Sequence, residues 1–188
     1  MRGDKERHHM SAVTLIELGK QGEDAMNAWL QLHGFSYVAI CQAPETFAPL
    51  FGTAVKRPDF LLLLESIGLI AIDVKNRNRY KNTCYSLPYE DELRRAVAFE
   101  RLFRIPVWYA YLNREDAGQS FHWISALKAL EVGEIKTPHD GSAEFLSIGL
   151  EHFEHLHSGG DIARLYAHRL PGVGNLSALI AAKTPVNP

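Results

Sequence analysis

Cysteine is scarce: Cys41 and Cys84 are the only two in 188 residues. Two thiols cannot build a disulfide framework, and a cytoplasmic setting is the default for such a chain. No cysteine pair supports a zinc knuckle, and Cys84 has no motif support as the thiol of a hydrolase. Long apolar runs are also missing. Stretches such as Phe60–Leu64 and Leu69–Ile72 are strand-sized, well short of the roughly 20 residues that span a bilayer, so no membrane partner is expected. Residues 1–10 are polar and hold no apolar segment, which excludes a secretory signal there. They are expected to form a disordered leader that contains His8 and His9. Neither sign of charge dominates: 20 Lys and Arg stand against 22 Asp and Glu, a net charge of −2. That argues against indiscriminate polyanion binding while leaving room for a local basic groove. A Walker loop, a Rossmann glycine pattern and a His-Glu-x-x-His helix are all lacking.

The remaining composition, 46% hydrophobic and 22% charged, is that of an ordinary globular protein with enough chain to bury a core. One domain over residues 11–170 is expected, with its core at about 14–112, an extension over 113–170 and a loosely packed tail at 171–188.

The most informative stretch is Arg57–Lys81. Two apolar runs flank Ser66-Ile67-Gly68 and read as a β-hairpin. Successive side chains of a strand alternate between faces, so Asp73 and Lys75 share one face while Ile70, Ile72 and Val74 share the other. A three-residue loop at Ser66-Ile67-Gly68 predicts Leu61 opposite Asp73 and Asp59 opposite Lys75, which gathers all three charges on one face. Beyond Lys75, the cations Arg77, Arg79 and Lys81 recur at every second position. If the strand stays extended they form a row able to track a phosphate backbone; the alternative is a solvated edge loop.

Around the hairpin, 14–33 reads as a helix, with Leu15, Leu18, Met26, Trp29 and Leu30 at helical spacing. Gly19 and Gly22 inside it fit a close approach to a sheet. Glu23 lies at the edge of the buried stripe, either facing the sheet or tilting to solvent beside Asp24. Residues 35–41 read as a strand, 42–56 as a loop, 88–104 as a helix with acids in its first turn, and 106–112 as an apolar strand. Strand, helix, strand in that order predicts a crossover with parallel pairing. Further on, 121–124 and 143–148 are expected as strands, 125–131 as a helical turn, 133–141 as a connection, and 150–157 and 161–168 as helices. On a helix over 150–157, His152 and His155 would share a face and suit a transition metal, although a polar helix face is the commoner meaning.

Two aspartates and a lysine on one face have a specific use. A hard cation such as Mg²⁺ binds one or two carboxylates and keeps waters for substrate phosphates. Asp59 and Asp73 can hold such an ion with the Val74 carbonyl, Glu23 can join the metal site or its water shell, and Lys75 can orient or deprotonate a water. A plain cross-strand salt bridge is the alternative.

Pro58-Asp59 followed by Asp73-Val74-Lys75 resembles the motif of the PD-(D/E)XK nuclease superfamily, which includes many restriction endonucleases and archaeal-type Holliday junction resolvases. Gly22-Glu23-Asp24-Ala25, with Leu30 and Gly34-Phe35, is similar to the first helix of the resolvase-like members, where a glutamate joins the metal site. The resemblance covers about Leu15 to Leu112. It implies an α/β fold with a three-layer α/β/α restriction-endonuclease-like core and a mixed central sheet, here followed by a C-terminal α+β extension. It also implies a Mg²⁺-dependent endonuclease, with Mn²⁺ as a substitute, acting on duplex or branched DNA. Catalysis would fall to Glu23, Asp59, Asp73 and Lys75, metal binding to Asp59, Asp73, Val74 and Glu23, and DNA contact to Arg77, Arg79 and Lys81. Cleavage of two strands would require a homodimer. The alternative is a catalytically inactive module of the same fold that binds nucleic acid or protein.

Overall fold

Alternating apolar strands assemble a mixed six-stranded sheet at the centre of the molecule. The computed structural model describes residues 12–43, 46, 54–65, 68–138 and 143–167. The expected leader at 1–10, the tail at 171–188, Ser66 and Ile67, and much of the 42–56 loop lie outside the described residues. Helix α1 (Ala12–Leu32) is followed by strands β1 (Ser36–Ala39), β2 (Phe60–Leu64), β3 (Gly68–Lys75) and β4 (Cys84–Pro88). A π-helical stretch, Tyr89–Arg94, leads into α2 (Arg95–Phe103), β5 (Val107–Leu112), β6 (Phe121–Ser125), α3 (Ala126–Val132) and β7 (Glu134–Lys136). Then come β8 (Phe145–Gly149), β9 (Glu154–Leu156) and α4 (Arg164–Ala167).

The central sheet runs β1-β2-β3-β5-β6-β9. Its pairs are antiparallel except β3–β5, which is parallel, as the strand–helix–strand order predicted. A smaller antiparallel sheet runs β4-β8-β7. The region after Leu112 is therefore integral to the fold: β6 and β9 extend the central sheet, and β7 and β8 pair with a strand that precedes α2.

Each face of the central sheet has its own core. Met26, Trp29 and Leu30 of α1 pack on Leu62, Ile72, Val74, Trp108 and Trp123. The π stretch, α2, α3 and the small sheet pack on Ala71, Tyr109, Tyr111 and Ile124 of the other face through Leu93, Ala96, Ala129, Leu87 and Ile148. α1 ends as its sequence predicts: Gly34 adopts φ +69°, and the Phe35 N–H reaches back to the Leu30 carbonyl at 3.0 Å. Among the described residues no helix is long and apolar enough to cross a membrane.

Three sequence expectations change. The hairpin register is offset by two residues: Leu61 lies opposite Ala71 rather than Asp73, and Leu64 opposite Gly68, whose φ of +108° lets it open β3. Asp59, just before β2, therefore comes near Asp73 and not opposite Lys75. Because the offset is even, the face assignments within β2 and β3 survive. The expected 150–157 helix is instead a 3₁₀ turn at Leu150–His152 followed by β9, because edge pairing with β6 outweighs weak helical periodicity. The expected 133–141 connection contains β7, a short strand that completes the small sheet.

A Cβ on Gly22 would stand 3.0 Å from the Asn76 Cβ and 3.4 Å from Val74 Cγ1, whereas one on Gly19 would meet nothing within 4 Å. Gly22→Val should therefore cost about 1–3 kcal/mol by lifting α1 off the end of β3. Gly19→Ala should stabilise by about 0.5–1 kcal/mol. Urea denaturation of the two variants beside the wild type checks both signs.

Candidate active site

The charged face forms where β2 begins and β3 ends. The Asp59 N–H donates to the Ile72 carbonyl at 2.8 Å, so Asp59 and Phe60 both meet Ile72 where the ladder ends, and the Asp59 carboxyl lies within electrostatic reach of Asp73. The Val74 N–H donates to Asp59 Oδ2 at 2.7 Å and fixes that carboxyl. In an extended strand a residue's N–H and C=O leave by the same edge, so the Val74 carbonyl faces the Asp59 side as well. The Val74 side chain points the other way, into the α1 core. Asp73 and Lys75 are 2% and 7% exposed, values that demand partners for both charges.

Lys75 finds them. Its Nζ lies 2.9 Å from Asp73 Oδ2 and 2.7 Å from Glu92 Oε2, and 5.6 Å from the centre of the Tyr109 ring. The contact with Glu92 is a hydrogen bond, and that with Asp73 Oδ2 an ion pair. Burial works to lower the Lys75 pKa, but the Asp73 and Glu92 carboxylates outweigh it and hold it above the ordinary lysine value. Glu92 also takes the Lys56 ammonium at 2.9 Å. Burial would raise the Glu92 pKa; the two ammoniums instead bring it down to about 2. Glu92 projects from the π-helical stretch, whose wider turn carries it over the end of β3. In the sequence it reads as one of three acids that open a helix. Its place directly before the fully buried Leu93 was the available sign that it faces inward.

Asp59 is under the opposite pressure. Burial and the neighbouring Asp73 charge push it up to about 8, against the Val74 N–H and Lys75, which work to lower it. Glu23 reaches the same electrostatic neighbourhood from α1, across the end of the sheet. Its pKa is raised by burial, then by Asp24 and by Asp73, and its own charge raises Asp59 in turn. Asp73 and Lys75 thus share one face with Asp59 held within electrostatic reach, and Glu23 arrives from the other side of the sheet. Glu23, Asp59 and Asp73 are not drawn close enough to present three ligand atoms within 4.8 Å of one another. Among the described residues only Asp116, His155 and His157 do so.

The expected basic row is not a continuation of the strand. β3 stops at Lys75, and Lys81 and Asn82 sit in a left-handed turn, with φ 51° and 62°, that feeds β4. Arg77 is exposed, Arg79 pairs with Glu115 at 2.6 Å, and Lys81 lies over the Tyr80 ring. What holds the segment is Arg114, whose guanidinium donates to Asn76 Oδ1 at 2.8 Å and to Asn78 Oδ1 at 2.6 Å. Arg77, Arg79 and Arg114 line a cleft of about 420 Å³ with Asn78 and Tyr85. Arg114 follows an apolar strand directly, but nothing in the sequence alone pairs it with two asparagines far upstream.

No protein-family model, curated protein or solved structure matches the chain.

Thermal melts in EDTA over a pH series separate the two carboxyls. Asp59, with a folded pKa raised to about 8 from 3.8, contributes stability that is complete below the unfolded value and drains away as pH rises to 8. Asp59→Asn should flatten that decline. Glu92, lowered to about 2 from 4.5, contributes stability that is complete above the unfolded value and is lost as pH falls through the folded one. Glu92→Gln should cost about 1–3 kcal/mol at pH 7, with the deficit closing in acid.

Proposed function

We propose that this chain is a divalent-metal-dependent nuclease that hydrolyses phosphodiester bonds in DNA, on a three-layer α/β/α core of the PD-(D/E)XK type. The observation that carries the reading is the end of the hairpin, where the Val74 N–H holds the Asp59 carboxyl within electrostatic reach of Asp73 and Asp73 pairs with Lys75.

The donor set fits Mg²⁺, or Mn²⁺ in its place: carboxylate oxygens and a main-chain carbonyl are hard ligands. Burial and then the Asp73 charge hold Asp59 up to about 8, and a divalent cation beside the two carboxyls relieves that pressure. The buried Tyr109 hydroxyl has no hydrogen-bond partner among the described residues. Asp59, Asp73 and the Val74 carbonyl would hold the ion, and Glu23 its water shell. The bound ion supplies a polarised water and a counter-charge for the phosphate.

Lys75 has a narrower role than its motif position suggests. Its raised pKa keeps it an ammonium at neutral pH, so it donates to the attacking water or to a phosphate oxygen and does not take the proton. Glu92 holds that ammonium in place. Arg77, Arg79 and Lys81, beside the Arg114 cleft, would take the sugar-phosphate backbone. A homodimer would serve cleavage of two strands, and the setting is cytoplasmic.

Incubation with supercoiled plasmid and with branched DNA tests the reading. Cleavage should require Mg²⁺ or Mn²⁺, stop in EDTA, and fall by on the order of 10²-fold or more in Asp73→Ala and Lys75→Ala. Cleavage that survives Asp73→Ala defeats the assignment. DNA retention without any cleavage favours a catalytically inactive module, a reading that the fully ion-paired state of Lys75 also suits.

A further inference from the structure

The geometry points to a second metal site, on the far strands of the central sheet, for a borderline transition ion of the Zn²⁺ class. Its ligands are Asp116, His155 and His157. One carboxylate oxygen and one ring nitrogen from each histidine lie within 4.8 Å of one another. They come from two separate places in the chain. Asp116 sits in the turn between β5 and β6, His155 is the middle residue of β9, and His157 follows that strand. Two imidazoles and a carboxylate select Zn²⁺, Co²⁺ or Ni²⁺ over Mg²⁺, and three protein ligands leave a fourth position open.

Pairing of Glu154–Leu156 as strand β9, in place of a helix over 150–157, is what creates the site. Alternation along the extended chain places His155 and His157 on the same side, with their ring centres 3.8 Å apart, and takes His152 out of the set. The surroundings are already built to orient ligands. Ser120, fully buried, hydrogen-bonds both Asp116 and His155 Nε2, the latter at 2.6 Å. Asn113 Nδ2 donates to Ser120 Oγ at 3.2 Å. The Gly118 and Gln119 N–H groups donate to Asp116 Oδ1 at 3.2 and 3.1 Å, and the His122 ring stacks on His155 at 4.2 Å. Such outer partners fix ligand orientation and raise affinity.

The site is independent of the proposed nuclease centre yet ordered by the same sheet. Lys75, Tyr111, His122 and His155 are successive cross-strand partners. Three strand spacings, about 14 Å, separate the two ends of that row. An ion there would tie the short edge strand β9 to the β5–β6 turn.

Co²⁺ is the probe, added to the full-length protein and followed by visible absorption, with Zn²⁺ as competitor and calorimetry for stoichiometry. With excess Mg²⁺ present to occupy the Asp59/Asp73 site, one equivalent should bind, raise the melting temperature and be displaced by Zn²⁺. Exposed His157→Gln, which leaves the Ser120 network intact, should weaken binding at least about tenfold, and His155→Gln likewise. His152→Gln and a His8→Gln/His9→Gln variant should bind as the wild type does. Absence of Co²⁺ and Zn²⁺ uptake, full binding by the His155→Gln/His157→Gln variant, or loss of binding in the His8→Gln/His9→Gln variant would each overturn the proposal.

Discussion

Two aspartates held side by side across neighbouring strands define what the rest of this molecule must accommodate. Like charges held close to one another repel, and here the pair is walled by apolar strands. The fold answers in three ways. The Val74 N–H fixes Asp59, the Lys75 ammonium sits against Asp73, and Glu92 and Lys56 extend the pairing outward. Asp59 is left under strain, with its carboxyl pushed up to about 8. A purely structural ion pair would have no use for the second aspartate. Natural proteins keep such costs where they serve a site.

The layers around the pair follow from it. α1 can bring Glu23 near the carboxylates only because Gly22 lets the helix settle against Val74 and Asn76. The π-helical stretch does the equivalent from the other face with Glu92. Beyond the end of β3, Arg114 clamps Asn76 and Asn78, so the segment bearing Arg77 and Arg79 leaves the sheet in a defined direction. Along the sheet, a polar row passes from Lys75 through Tyr111 to His122 and His155. The strands that carry the two candidate centres therefore belong to one continuous sheet.

Much of this was legible from period and punctuation. The helix at α1, the hairpin, and the parallel pairing of β3 with β5 follow from alternation, Gly34 and the strand–helix–strand order. The common face of Asp73 and Lys75 was legible from strand alternation; the register of the hairpin was not, since Gly68 opens β3 at a positive φ instead of closing the loop. Glu92 and Arg114 stayed hidden for a different reason. Each acts on residues far away in sequence, and the local patterns, a helix-opening acid and a charge after a strand, describe a surface equally well. The 150–157 segment misled because one helical turn of apolar spacing in Leu-Glu-His-Phe is weaker than the pairing available at the β6 edge. Only that pairing brings His155 to Asp116.

The decisive measurement is Mn²⁺ binding followed by electron paramagnetic resonance, with Mg²⁺ as competitor, on the wild type, Asp59→Asn and Asp73→Asn. One Mg²⁺-displaceable Mn²⁺ per chain in the wild type, lost in both variants, is the expected result. A wild-type chain that takes up no Mn²⁺, or variants that bind it equally well, would contradict a cation held between Asp59 and Asp73.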